Sequence, residues 1–171
     1  GLEKDAQSRL LWRYPPRRLE AEAIRDAILA VSGQLNRQMG GPGYDPFEPN
    51  DNYVKVYIPR RSFGPNEWRR MIYQNKPRMR QDSVFGEFDC PDASHSIARR
   101  NVSTTALQAL NLLNGPFVVE QARAFAERLE SEYARGPEPA ATAAARIDRA
   151  FWLAFGRAPA EDERAAAEQL V

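Results

Sequence analysis

Apolar positions recur at three- and four-residue steps over most of this chain, and one long stretch between the helical series breaks the rhythm. From Arg17 onward Leu19, Ala23, Ile24, Ala27, Ile28 and Val31 keep that spacing, while Glu20, Glu22, Arg25 and Asp26 fall mostly elsewhere. The pattern predicts an amphipathic core helix stopped at Gly33, and its mixed charges argue against a membrane-surface helix. Over 104–113, Leu107, Leu110 and Leu113 follow at steps of three, with Ser103 or Thr104 as N-cap and Asn114-Gly115-Pro116 as the break. From Pro116 to Tyr133 the series continues through Phe117, Val118, Ala122, Phe125, Ala126 and Leu129, with proline suited to the first turn. Gly136-Pro137-Glu138-Pro139 reads as a linker. Ala140 to Phe155 then carries Ala144, Ile147, Phe151 and Phe155 on one stripe, closed by Gly156. Glu161-Asp162-Glu163 gives a last helix the acidic first turn that suits its dipole.

Between Gln34 and Pro65 the chain is rich in Gly, Pro, Asn and Asp, which predicts a long loop. Within it Tyr53 to Ile58, β-branched and aromatic and closed by Pro59, is the one strand expected. Pro65 to Lys76 reads as a short helix with Trp68, Met71 and Ile72 on one side and Arg69-Arg70 on the other. Pro15-Pro16 forces an extended lead-in to the first helix. The expected fold is mainly α: a single domain over 1–171, an irregular helical bundle with a long Gly/Pro-rich loop and at most a small β element. A length of 171 residues suits one domain with a real core. Gly1 reads as a residue added in cloning, and Leu170-Val171 falls inside a helical pattern. The chain is therefore expected to be a piece of a larger multidomain protein.

Composition narrows the class. With 43% hydrophobic and 27% charged residues it is ordinary for a globular protein, and without a run of about 18 apolar residues no membrane insertion is expected. Between Tyr53 and Arg80 eight basic residues face one acidic residue, Glu67, interleaved with aromatics. That is the pattern of a single-stranded nucleic-acid binder. The whole chain carries only +1, however, which predicts that these arginines pair with Asp82, Glu87, Asp89 and Asp92 and that no specific nucleic acid is bound.

The stretch from Ser83 to Asn114 holds most of the chemistry. It lacks the motifs of phosphate loops, zinc proteases, serine hydrolases and dinucleotide folds. Cys90 is the single cysteine and His95 the single histidine, so a disulfide within the chain, a multi-cysteine zinc site and a CxxCH haem attachment are excluded. No cofactor and no metal are expected. Asp89 and Asp92, with Arg99 or Arg100, could form an acid–base site. With Ser94 the two carboxylates are weak calcium ligands. The same FDxPD turn is equally explained by Asx-type capping. On that reading Asp89 folds back onto the helix start near Ser103-Thr104 as a buried organiser held by a guanidinium, and Asp92 stays at the exposed end. Asn101-Val102-Ser103 has the form of a glycosylation sequon.

Five segments together resemble a known family: RRLEAEAIRDAILAVSGQL (17–35), EWRRMIYQ (67–74), FGEFDCPD (85–92), ARRNVSTTALQALNLLNGPFV (98–118) and AFGRAPAEDE (154–163). The chain resembles the bacterial family called domain of unknown function 1553, abundant in planctomycetes. Two positions depart from it: Ala106 stands where proline is common, and Ile97 where cysteine is frequent. The resemblance implies the C-terminal region of a large exported protein that also carries a cytochrome c-like domain, a second uncharacterised domain and sometimes a carbohydrate-binding-like module. A periplasmic or extracellular location follows, with Cys90 a buried unpaired thiol. The family offers no catalytic residues to transfer. The expected role is an accessory or scaffold module acting with neighbouring domains of the same polypeptide or on an extracellular polymer. The rival is a polysaccharide-active enzyme with an Asp/Arg site at 89–100.

Overall fold

A computed structural model describes residues 2–14, 17–54, 56–60, 62–78, 80, 82, 85–134 and 143–170. Five α-helices follow one another among these residues: α1 (Ala21–Ser32), α2 (Ala106–Asn114), α3 (Pro116–Ala134), α4 (Ala143–Phe155) and α5 (Glu161–Glu168). Single 3-10 turns lie at Met71–Tyr73 and Gly86–Phe88, and no strand forms among the described residues. The fold is mainly α. The linker at 136–139, the first residues of the helix expected from Ala140, and Pro15-Pro16 lie outside the described residues.

The helix series found in the pattern are present, but two of them are turned. In α1 the buried face is Ala21, Arg25, Leu29 and Ser32, flanked by the partly buried Ile24 and Ile28, while Ala23 and Ala27 are exposed. Gly33 ends the helix as expected, in the left-handed region at φ 84°. Arg25, read as part of the outer face, is only 5% exposed, because its guanidinium donates to the carbonyls of Arg69 (2.6 Å) and Glu67 (3.0 Å).

Helix α2 departs further. Leu107, Leu110 and Leu113, expected in the core, are 59%, 54% and 73% exposed, and the inward residue is Gln108 at 2%. Hydrogen bonding decides the rotation. Thr105, rather than Ser103 or Thr104, is the N-cap and forms a capping box with Gln108. The Gln108 amide nitrogen also donates to Glu87 O (2.6 Å) and Ser103 Oγ (3.1 Å).

The core joins α1 to α3 and to the irregular segment between them. Ala21, Leu29, Met71, Phe85, Phe88, Cys90 and Phe117 form one buried cluster, with Trp68 and Val118 against it. Phe85 meets Phe117 edge-on with ring centres 5.4 Å apart, a preferred aromatic geometry. Of the helix expected over Pro65–Lys76 only one 3-10 turn forms. The backbone there is taken by other partners: Met71 N donates to the Asp26 carboxylate (2.8 Å), while Asn36 N and Tyr44 N donate to Trp68 O and Tyr73 O (3.0 and 2.9 Å).

The strand expected at Tyr53–Ile58 is likewise absent among the described residues, with Lys55 outside them. A single antiparallel bridge joins Phe47 to Pro59, with Glu48 N donating to Ile58 O (2.7 Å) and Arg60 N to Pro46 O (2.9 Å). Tyr53, Val54, Val56 and Ile58 are exposed, so no packed face rewards a longer ladder.

Candidate functional site

The turn after Gly86–Phe88 places Asp89 in the left-handed region, at φ 59° and ψ 27°, which aspartate tolerates better than most residues. Its carboxylate folds back as expected and accepts from Ser103 N (2.8 Å) and from Ser103 Oγ (3.0 Å to each oxygen). Neither arginine of the expected clamp takes part. Asp89 is half-buried, and Ser103 Oγ also accepts from Gln108. Arg18 extends the network, donating to Thr104 Oγ1 (2.9 Å) and to Gln108 Oε1. The carboxylate anchors the segment that enters α2.

Asp92 belongs to a separate local turn. It accepts from Ser94 N (2.9 Å) and Ser94 Oγ (2.6 Å), and these bonds hold its carboxyl below the usual range. Ser94 Oγ lies 2.8 Å from Nδ1 of the exposed His95. Asp89 and Asp92 share no hydrogen-bond partner. Arg99 is exposed.

Arg100 belongs to a different cluster. It donates to both oxygens of Glu22 (2.6 and 3.0 Å) and reaches Glu20 at 3.3 Å. Lys76 lies 3.5 Å from the same Glu22, and its Nζ is 2.7 Å from Cys90 Sγ. Burial alone would raise the Glu22 carboxyl, but the hydrogen bonds from Arg100 and the charges of Arg100 and Lys76 outweigh it and bring the pKa to about 2. Burial pushes the Cys90 thiol up, against the pull of Lys76. Four elements distant in sequence thus meet: α1, the segment after the 3-10 turn at 71–73, the 85–92 turn, and the lead-in to α2. Glu22 and Lys76 carry no local sequence signal, since each reads as an ordinary solvated charge.

In the basic segment, Arg60, Arg69 and Arg80 each donate to backbone carbonyls. Arg69, 6% exposed, donates to the carbonyls of Pro42 (2.5 Å), Gly40 (2.5 Å) and Gln38 (3.1 Å) and stacks 3.8 Å over Tyr73. Arg60 donates to Phe47 O (3.1 Å) and pairs with Glu67 (3.3 Å), and Arg80 donates to Tyr57 O (2.9 Å). Loops without regular structure leave carbonyls that a guanidinium fork can collect.

A roomy depression of about 630 Å³ lies where the end of α1 and residues 34–37 face α3. Its lining includes Arg37, Glu127, Arg128 and Ser131, with none of Asp89, Asp92, Arg99 or Arg100 among them. Arg128 caps α1 from there, donating to Ala30 O (3.2 Å) and Val31 O (2.8 Å). Among the described residues no three His, Cys, Asp or Glu side chains gather in a way that could hold a metal ion, and no helix is long and apolar enough to cross a membrane.

A family model described as PSD1, protein of unknown function (DUF1553), matches residues 1–171. The chain belongs to this family. No curated protein and no solved structure matches it. The segments 85–92 and 98–118, two of the five that resemble the family in sequence, are those that build the Asp89–Ser103 anchor and the helix α2 behind it.

Proposed function

We propose that the chain is a non-catalytic accessory module of an exported multidomain protein, and that it docks onto a neighbouring domain of its own polypeptide through the leucine face of α2. The observation that carries this reading is the outward stripe of Leu107, Leu110 and Leu113. At 100° per residue these three cover about 120° of one helix face. No charged residue occurs between Arg100 and Glu120, and interface centres are depleted in charge in the same way. Burying each leucine against an apolar partner is worth about 1.5–3 kcal/mol. The carboxylates agree with it: Asp89 is bound to Ser103 and Asp92 to Ser94, and neither lines the large depression.

The test mixes this chain with the separately expressed remainder of the polypeptide and follows co-elution. Association is expected, and Leu107→Ser/Leu110→Ser/Leu113→Ser should weaken it at least tenfold. Absence of association, or self-association through the same face, overturns the docking partner. Turnover of a polysaccharide that is lost in a folded Asp89→Asn variant overturns the non-catalytic reading in favour of the enzyme.

A further inference from the structure

The contact between Lys76 and Cys90 has no part in docking. A buried thiol against apolar side chains is inert, but here Sγ lies 2.7 Å from Nζ. That separation is short for an ammonium resting against sulfur and too long for a nitrogen–sulfur bond. It is close to what one oxygen atom spans when bonded to both. The amine is also held in register, since Glu22 sits 3.5 Å from Nζ and is itself gripped by Arg100. A cavity of about 10 Å³ touches both residues and is lined by Gln74, Asn75 and Asp82 on one part and by Phe47, Pro77 and Pro91 on another, room for about one water-sized molecule. As the single cysteine, an oxidised Cys90 has no second thiol in the chain to condense with. The nearest nucleophile is the lysine.

We infer that Lys76 and Cys90 form an oxygen-bridged covalent cross-link, Nζ–O–Sγ, when the protein meets a peroxide. Sγ takes an oxygen from one hydrogen peroxide: the O–O bond breaks, an S–O bond forms, and water leaves with the thiol proton, giving a sulfenic acid. Lys76 gives its ammonium proton to solvent, and the neutral amine then takes an oxygen from a second peroxide in the same way, becomes a hydroxylamine and releases a second water. Condensation of the two hydroxyls releases a third water and leaves the bridge. Sulfur and nitrogen each lose two electrons, and the two peroxides accept all four. The link ties the segment after the 71–73 turn to the 85–92 turn, and it removes the chain's free thiol.

Peptide mapping of the wild-type protein tests this directly. Trypsin cuts after Arg70, Arg78, Arg80 and Arg99, and Pro77 protects the bond after Lys76, so Lys76 and Cys90 fall on the separate peptides 71–78 and 81–99. After hydrogen peroxide the two should run as one species about 14 Da above their sum, one oxygen gained and two hydrogens lost. A thiol reductant should cleave the S–O bond and return a reactive thiol. Cys90→Ser and Lys76→Arg should both lack the joined species. Cys90 recovered only as sulfinic or sulfonic acid on an unlinked peptide overturns the proposal, and so does a joined pair about 2 Da lighter than the sum, the product of a direct nitrogen–sulfur bond. The decisive reading needs no substitution, so a variant that misfolds leaves it intact.

Discussion

Asp89 is the side chain whose removal separates anchoring from chemistry. Asp89→Ala deletes the acceptor of the bonds from Ser103 N and Oγ and puts alanine at a left-handed position. A loss of about 1–3 kcal/mol is expected in urea unfolding, with Asp89→Asn milder because asparagine keeps an acceptor and tolerates the backbone. Asp92→Ala, which disturbs only a local turn with Ser94, should cost less than either. The fold-back of Asp89 is legible because it and Ser103 lie only 14 residues apart. Only the guanidinium expected to hold it is elsewhere, since Arg100 stands even closer in sequence yet pairs with Glu22, 78 residues away. Glu22 gives a second prediction, in pH. Its folded pKa of about 2 lies below the ordinary 4.5, so the stability it contributes is present above pH 4.5 and is lost as pH falls from there toward 2. The contribution is on the order of 2–3 kcal/mol. Stability measured across that range should fall more steeply in wild type than in Glu22→Gln.

Among the elements, α1 and α2 show what periodicity contains and what it omits. A three-to-four spacing reveals that a helix has an apolar side, and the rest of the protein determines whether that side is covered. In α2 the inward side is set by Gln108, whose amide serves Glu87 O, Ser103 Oγ and the cap at once. No hydropathy pattern ranks that bond set above three leucines. The contrast is measurable: Leu29→Ala, at a fully buried position, should cost about 2–5 kcal/mol, whereas Leu110→Ser should change stability by no more than about 0.5 kcal/mol. Thermal unfolding of the two variants beside wild type checks both. The helix expected at 65–76 and the strand expected at 53–58 both fail on tertiary context. Their residues suit those conformations locally, but their backbone groups are spent on long-range partners or their side chains find no opposing face.

For the molecule as a whole, buried guanidiniums hold the loop region where regular ladders are missing. Arg69→Ala leaves the carbonyls of Gln38, Gly40 and Pro42 without their donor and should cost at least about 2 kcal/mol. Limited proteolysis should then cut first in 36–48, and intact resistance there would count against this role. The helices these loops connect impose an order on the protein's making. α1 packs on α3, and the Ser32 hydroxyl reaches Gln121 across 89 residues of chain. A ribosome adding about 5–20 residues per second therefore leaves α1 without its partner for on the order of ten seconds. During that interval Leu29 and its neighbours are exposed to whatever binds apolar nascent chain, and the long closure slows the first native pairing.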